Sequence, residues 1–228
     1  SPIDVIRNKQ SSSLCQSIMT VSKGDADACV SAGSTGALLM QSVRLIDTLP
    51  GIKRPAICAS APTYYGNVSL LDLGANISCD ANNFHQFGVL ASMKCNLIDG
   101  IENPSIKLLN VGEEANKGTK ELKAAAKLFN EDKNLNYQGF IEGNNLFNDP
   151  VDVIVCDGFT GNVALKTAEG VARLATGIGA DIVKQRFSLR LLSKIFTKSL
   201  DDFKNRLSPT QHNGAIFLGL NRIVLKSH

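Results

Sequence analysis

Short apolar runs alternate with stretches of helical periodicity along most of the chain, and short polar loops separate them. In residues 151–172, VDVIVCDGFTGNVALKTAEGVA, an apolar β-branched run stops at Asp157-Gly158, and helical spacing takes over after Asn162. Alternation of this kind predicts an α/β fold with a mostly parallel sheet that helices cover on both faces. The same pattern predicts strands at 56–59, 68–73, 106–111 and 137–141, helices at 35–46 and 119–129, a helix that ends at Gly24 and another that Asp80 caps.

Two glycine turns in this pattern repeat each other. The letters GSTG (33–36) match GFTG (158–161), and an aspartate precedes each turn at the same spacing, Asp27 in one and Asp152 in the other. Each could be an ordinary strand-to-helix turn whose threonine caps the helix. Such a turn also directs backbone N–H groups and the positive end of a helix dipole at one point, which suits phosphate or another anion. The matched pair favours the anion site.

Several polar segments follow predicted strands directly. They are the two glycine turns, Asp72 to Asn76, and Asn110 to Glu114. Ligands of parallel α/β sheets collect at the carboxyl ends of the strands. We therefore expect all four segments to meet at one edge of the sheet, where an edge means a line of strand ends.

Composition narrows the class of protein. With 228 residues, 43% hydrophobic and 20% charged, the chain can bury a substantial core, and one α/β domain over 1–228 is the expectation. A net charge of +3 is too small to favour nucleic acid as a partner. The six cysteines include no C-x-x-C pair, which fits a reducing cytoplasm, and no apolar run is long enough to span a bilayer. Because the chain starts at Ser1 and stops just behind an apolar run, we expect it to be a piece of a longer protein.

Residues 183–207 form a basic amphipathic segment, predicted to be a helical tip. In 183–200, VKQRFSLRLLSKIFTKSL, there are five basic residues and no acidic residue. The apolar face could pack on the core or on a second subunit, or it could bind an anionic membrane surface. The pattern leaves both possibilities open. The residues predicted for membrane contact are Phe187, Leu191, Leu192, Ile195 and Phe196.

Common catalytic patterns are missing from the sequence. No G-x-G-x-x-G occurs, and the three histidines are too scattered to indicate a metal site or a catalytic triad. Cys156 is expected to be a packed core thiol because it has no basic neighbour. Glu113 and Glu114 could supply a general base or simply begin a solvated loop. Lys166 could face an anion or be an ordinary exposed helix lysine. A site of this kind would bind an anion and orient it as the attacking group.

Five motifs in one order resemble the bacterial acyl-ACP:phosphate acyltransferases of phospholipid synthesis, the PlsX family. They are SAGSTGALL, LLDLGAN, LLNVGEE followed by KG, VCDGFTGNVALK, and NGA-x-x-LGLN with the terminal VLKSH. The resemblance implies transfer of a long acyl group from acyl carrier protein to inorganic phosphate. It also implies a three-layer α/β/α fold like that of the isopropylmalate and isocitrate dehydrogenases and phosphotransacetylase. A cytoplasmic homodimer that associates peripherally with the membrane is implied as well, with neither a metal nor a cofactor.

The resemblance also places the site. Beyond the resemblance, our mechanistic hypothesis is a direct attack without a covalent intermediate, in which Asn162 or Asn213 would form an oxyanion hole and Lys226 or His228 would protonate the leaving thiolate. Lys117, Lys166 or Lys226 would lie near phosphate. Ser34 departs from the family, which more often has asparagine there. The predicted substrate-binding residues are Ser31, Gly33, Ser34, Thr35, Gly36, Asp72, Asn76, Asn110, Glu113, Glu114, Lys117, Asp157, Gly158, Thr160 and Gly161, and the predicted catalytic residues are Asn162, Lys166, Asn213, Lys226 and His228.

Other functions also fit the pattern. A phosphotransacetylase-like transferase using small acyl-CoA is the nearest alternative enzyme. A decarboxylating dehydrogenase of the same fold fits less well, because no acidic metal cluster or nicotinamide loop is evident in the sequence. A module that binds phosphate or lipid without catalysis is the alternative from another class.

Overall fold

A computed structural model describes residues 12–185 and 214–227. Most of the basic tip, from residue 186 on, lies outside these residues, and so do Asn213 and His228. Within the described residues the helices are α1 Ser13–Lys23, α2 Thr35–Leu45, α3 Ala81–Lys94, α4 Lys120–Glu131 and α5 Gly158–Gln185. The strands are β1 Ala28–Ser31, β2 Ala56–Thr63, β3 Gly66–Leu71, β4 Ser105–Leu109, β5 Asn136–Ile141, β6 Val153–Val155, β7 Gly214–Leu218 and β8 Ile223–Ser227.

Capping residues set the ends of the helices much as the sequence predicts. Gly24 ends α1 in the left-handed conformation, with φ 83°. Asp80 begins α3 and forms a reciprocal capping box with Asn83. Thr119 begins α4 by accepting a hydrogen bond from the Leu122 amide. These local predictions are confirmed because each depends on side chains within one turn of the helix.

The eight strands form one mixed sheet in the order β1-β8-β7-β2-β3-β6-β4-β5. Four neighbouring pairs are parallel and three are antiparallel. The letters APTYYGN (61–67) predict a loop, but these residues instead form the tip of a hairpin, in which β2 pairs with β3 up to Thr63 and Gly66. Pro62 and Gly66 favour a loop locally, but cross-strand pairing extends both strands past them.

Strand direction reverses across the middle of the sheet. β1 is parallel to β8, and the three antiparallel pairings then lie between β8 and β3. The carboxyl end of β1 therefore points away from the carboxyl ends of β3, β6 and β4. The prediction that both glycine turns meet at one edge is wrong, because it assumed a parallel sheet.

The core lies under α3 and α4. Val153, Ile154 and Val155 of β6 are each 0% exposed, so both faces of this central strand are covered. Phe87 of α3 and Phe129 of α4 pack in the same apolar cluster as Val153 and Val155. Burying each such ring stabilises the fold by about 1.5 to 3 kcal/mol. The layered α/β fold is confirmed, and its rigid core fixes the ends of β3, β4 and β6.

The chain divides into two compact units. The first comprises Ser1–Asn162 and Gly214–His228, and it holds the sheet and α1 to α4. The second is Val163–Asn213, whose described part is the helix α5 from Val163 to Gln185. A single domain with a tip at 183–207 stays a prediction.

Candidate functional site

A buried aspartate organises the loop that follows β3. Asp72 is 0% exposed, and its carboxylate accepts four hydrogen bonds. Oδ1 accepts from the amides of Ile57 (2.9 Å) and Ala75 (3.1 Å). Oδ2 accepts from the amide (2.6 Å) and the side-chain nitrogen (2.9 Å) of Asn76. The carboxylate thus joins β2, where Ile57 lies, to the loop 72–76.

Two opposing effects act on the pKa of Asp72. Burial raises the pKa of the carboxyl above its ordinary value, while the hydrogen bonds from Ile57, Ala75 and Asn76 lower it. All four donors are N–H groups. The deprotonated form therefore satisfies every partner without a rearrangement.

The second glycine turn, after β6, is capped by its own carboxylate. Oδ1 of Asp157 accepts from the Thr160 amide (2.8 Å) and Oδ2 accepts from the Thr160 hydroxyl (2.9 Å). The Gly161 amide donates to the Asp157 carbonyl (2.9 Å) and the Gly158 amide donates to the Asn76 carbonyl (2.7 Å). A negative charge and internal hydrogen bonds thus already occupy the start of α5.

Missing Cβ atoms let this turn sit directly on the loop 72–76. A Cβ on Gly161 would lie 2.0 Å from the Asp72 carbonyl oxygen and 2.6 Å from Cys156 Sγ. A Cβ on Gly158 would lie 2.8 Å from the Asn76 carbonyl oxygen. Gly74, with φ 126°, approaches the side chain of Asn162, since its Cβ would lie 3.7 Å from Asn162 Cβ. Asn162 is exposed and rests against this loop.

The loop after β4 begins at the neighbouring strand end. Leu108 and Leu71 each lie opposite Val155, so β3, β6 and β4 end side by side. Asn110 is 7% exposed and accepts from the Val111 amide (2.9 Å). Its Nδ2 is buried and has no hydrogen-bond partner among the described residues.

The charged residues of this loop are exposed. Glu113 accepts from Asn145 Nδ2 at 3.3 Å, and the Glu114 carboxylate lies against Gly112, whose Cβ would be 2.6 Å from Oε2. Lys117 is also exposed, and its amide donates to the Glu114 carbonyl (3.0 Å). Their exposure leaves all three side chains open to a ligand.

The first glycine turn, after β1, is uncapped. Ser34 is the N-cap of α2, yet its side chain makes no capping bond. The Gly33 amide donates to Ser31 Oγ (3.1 Å). The first-turn N–H groups of α2 therefore receive no side-chain acceptor from Ser34.

A buried lysine lies beside this turn. Ser31 pairs with Lys226 across the parallel strands β1 and β8. Lys226 is only 8% exposed, and its Nζ donates to the Ser227 carbonyl. No carboxylate pairs with it within residues 12–185 and 214–227. Its positive charge and the uncapped helix suit an anion.

The structure thus distributes most of the predicted residues over two clusters. Lys166 belongs to the second unit, where its ammonium pairs with Glu169 (2.9 and 3.0 Å) and its side chain is 48% exposed. Asn213 and His228 lie outside the described residues. The second-turn cluster contains Asp72, Asn76, Asp157, Gly158, Thr160, Gly161 and Asn162 with the β4 loop residues Asn110, Glu113, Glu114 and Lys117 beside it. The first-turn cluster, at the opposite edge, contains Ser31, Gly33, Ser34, Thr35, Gly36 and Lys226.

Sequence reasoning missed Gly74 and Asn145. Gly74 supports Asn162, and Asn145 contacts Glu113. A glycine between a strand end and an asparagine in LLDLGAN was a readable signal for a left-handed turn. Nothing in the sequence brings Asn145 close to Glu113, because 32 residues separate them.

Cys156 is a core residue, as predicted. Its thiol is 2% exposed, and burial, followed by the charges of Asp72 and Asp157, raises its pKa well above the ordinary value. A thiol held protonated in this way is a poor nucleophile.

The described residues contain neither a cluster of metal-ligating side chains nor a helix suited to cross a membrane. Within 12–185 and 214–227, no group of three or more His, Cys, Asp or Glu side chains could hold a metal ion. In that same part of the chain, no helix has the length and apolar character needed to cross a membrane.

Solved structures share the fold. A phosphotransacetylase from Streptococcus pyogenes superposes with TM-score 0.57 at 18% identity, covering 91% of this chain and 58% of that one. A phosphotransacetylase from Staphylococcus aureus gives TM-score 0.56 at 18% identity, covering 92% and 59%. These likenesses confirm the phosphotransacetylase-related architecture that the motifs implied.

Curated relatives are much closer in sequence. A phosphate acyltransferase from Colwellia psychrerythraea is 47% identical over 233 residues, covering all of this chain and 66% of that protein. One from Methylococcus capsulatus is 45% identical over 231 residues, covering all of this chain and 67% of that protein. The chain thus spans about two thirds of the length of these relatives. The family model for fatty acid synthesis protein matches residues 1–228, and the chain belongs to that family.

Proposed function

We propose that the protein is a phosphate acyltransferase that makes acyl phosphate from long-chain acyl-ACP and inorganic phosphate. The observation behind this proposal is the family match over residues 1–228, with relatives named phosphate acyltransferase at 45 to 47% identity. The geometry agrees with such chemistry, since it offers polar groups, amides and lysines without an exposed thiol nucleophile.

The reaction proceeds by direct attack. A phosphate oxygen adds to the thioester carbonyl carbon, the C–S bond breaks, and the thiolate leaves and takes up a proton. No acyl-enzyme forms and no cofactor is required. Asn162 donates its side-chain N–H to the developing oxyanion, which is the step where a fixed donor contributes most.

The two clusters divide the substrates. Phosphate binds at the first turn, where α2 lacks a side-chain cap and Lys226 supplies positive charge. The second turn suits the uncharged thioester, because the Asp157 carboxylate at the start of α5 repels an anion. Because the two clusters lie at opposite edges of the sheet within one chain, this division requires that the first turn of one subunit meet the second turn of the other in the proposed homodimer.

The proposals about the carrier protein, the homodimer and the membrane are based on the resemblance and on the sequence. Acyl carrier protein supplies the acyl group, the protein works as a homodimer, and the basic segment 183–207 binds anionic membrane from the cytoplasmic side. Flotation with anionic liposomes tests the last point. Phe196→Glu should abolish salt-sensitive binding, and equal binding by both proteins would leave only a packing role.

Trapping the product tests the function. Full-length protein is incubated with phosphate and either palmitoyl-ACP or acetyl-CoA, and hydroxylamine converts any acyl phosphate to hydroxamate. We expect hydroxamate with acyl-ACP only, and only when phosphate is present. Product from acetyl-CoA alone would favour a phosphotransacetylase-like enzyme, and no product from either donor would favour a binding module.

A further inference from the structure

A buried carboxylate supports the residue that is proposed to stabilise the oxyanion. We propose that Asp72 is a positioning residue, which holds the loop 72–76 in the shape that places the Asn162 side chain. This inference rests on the proposed function, in which Asn162 contacts the thioester carbonyl. It gives Asp72 a role other than the direct substrate contact expected from the motif.

Hydrogen bonds within the protein use all the acceptor sites of the Asp72 carboxylate. It is 0% exposed and accepts four N–H groups, two on each oxygen. A carboxylate has about four lone-pair sites, so no acceptor remains for a substrate. Its bonds fix the amides of Ala75 and Asn76 relative to Ile57 on β2.

The fixed loop in turn contacts the first turn of α5 at three points. The Asn76 carbonyl accepts the Gly158 amide (2.7 Å). The Asp72 carbonyl oxygen lies so close to Gly161 that a Cβ at residue 161 would clash with it. Gly74 lies against Asn162, with its Cβ position 3.8 Å from Asn162 Cγ and 3.9 Å from Oδ1. A shift of the loop must therefore move Asn162.

Asp72→Asn changes this arrangement with little change in size. An amide has one acceptor oxygen, and its NH2 group would face donors that now bond to a carboxylate oxygen. The loop must then move or lose bonds. Misplacing a catalytic group by about 1 Å lowers rate by about 100-fold, so we expect kcat to fall about 10- to 100-fold, with the phosphate KM nearly unchanged.

Asp152→Asn is a matched control. Asp152 also accepts two short bonds, from the Ser105 amide (2.7 Å) and hydroxyl (2.7 Å), but it lies at the opposite end of β6. The Asp152→Asn variant should lose thermal stability and keep the wild-type kcat. A fall in kcat equal to that of Asp72→Asn would overturn the positioning role in favour of general destabilisation.

A double-mutant cycle separates positioning from a merely structural effect. If Asp72 acts through Asn162, Asp72→Asn should lower kcat in the wild type but have almost no further effect in Asn162→Ala. Independent, additive losses would overturn the proposal. If Asp72→Asn does not fold, Asn76→Ala replaces it in the cycle, since it removes one of the four bonds and should give a smaller loss with the same non-additivity.

A second readout does not depend on activity. The side-chain amide signals of Asn162 in NMR spectra should shift in Asp72→Asn and stay in place in Asp152→Asn. Unmoved Asn162 signals would overturn the positioning role even in an active enzyme. A wild type that makes no acyl phosphate would instead contradict the proposed function, and the NMR comparison would still decide the role of Asp72.

Discussion

The two glycine turns share a sequence pattern and differ in their surroundings. At the second turn, Asp157 caps α5 and the loop 72–76 packs against Gly158 and Gly161. At the first turn, Ser34 makes no capping bond and the nearest atom to a Cβ on Gly33 would be Ser31 Oγ, at 3.3 Å. The matched aspartates differ too, since Asp152 bonds to Ser105 whereas Asp27 is exposed.

Neighbouring strands cause this difference. The second turn follows β6, between β3 and β4, and each neighbour ends in a polar loop at the same edge. The first turn follows β1, the outermost strand at its end of the strand order. The same motif is thus capped by its own aspartate and tightly packed after β6, whereas after β1 it is uncapped and close to the positive charge of Lys226.

Replacing Asn162, which follows the second turn, should have the largest effect on activity. Asn162→Ala should lower kcat about 100- to 1000-fold, because one oxyanion donor contributes this much, and it should leave the phosphate KM within about twofold. Steady-state kinetics with acyl-ACP measure both constants. Asn67→Ala, at an exposed asparagine on β3, is the control. A normal kcat in Asn162→Ala would show that Asn162 does not supply the oxyanion donor.

Adding one methyl group to matched glycines should separate the rigid turn from the open one. Gly158→Ala, at the position that matches Gly33, places a Cβ 2.8 Å from the Asn76 carbonyl oxygen, so the backbone must shift, and we expect a loss of about 1 to 3 kcal/mol in the free energy of unfolding. Gly33→Ala meets only a side-chain hydroxyl at 3.3 Å and should change stability by less than about 0.5 kcal/mol. Urea unfolding monitored by circular dichroism checks both values. Equal losses would show that the two turns are packed alike.

The same contrast explains which features could be predicted from sequence. Caps such as Asp80 and Thr119 depend on residues three positions away, so their side chains reveal them. The family could be recognised because five of its motifs occur along the chain in the family's order. Strand direction could not be predicted, because it depends on pairing between β2 and β7, which lie far apart in the chain. The role of Asp72 was hidden for a similar reason, since Ile57 on another strand is among its partners.

Copying the cap of the second turn onto the first tests whether phosphate binds at the start of α2. Ser34→Asp should place a carboxylate at the start of α2, as Asp157 does for α5, and so stabilise the helix by up to about 1 kcal/mol. The same charge should repel phosphate and raise its KM about tenfold, which corresponds to about 1.4 kcal/mol. Ser34→Asn adds a neutral cap and should leave the phosphate KM near the wild-type value. If Ser34→Asp binds phosphate as well as Ser34→Asn does, phosphate lies away from α2, and the division of substrates between the two turns is wrong.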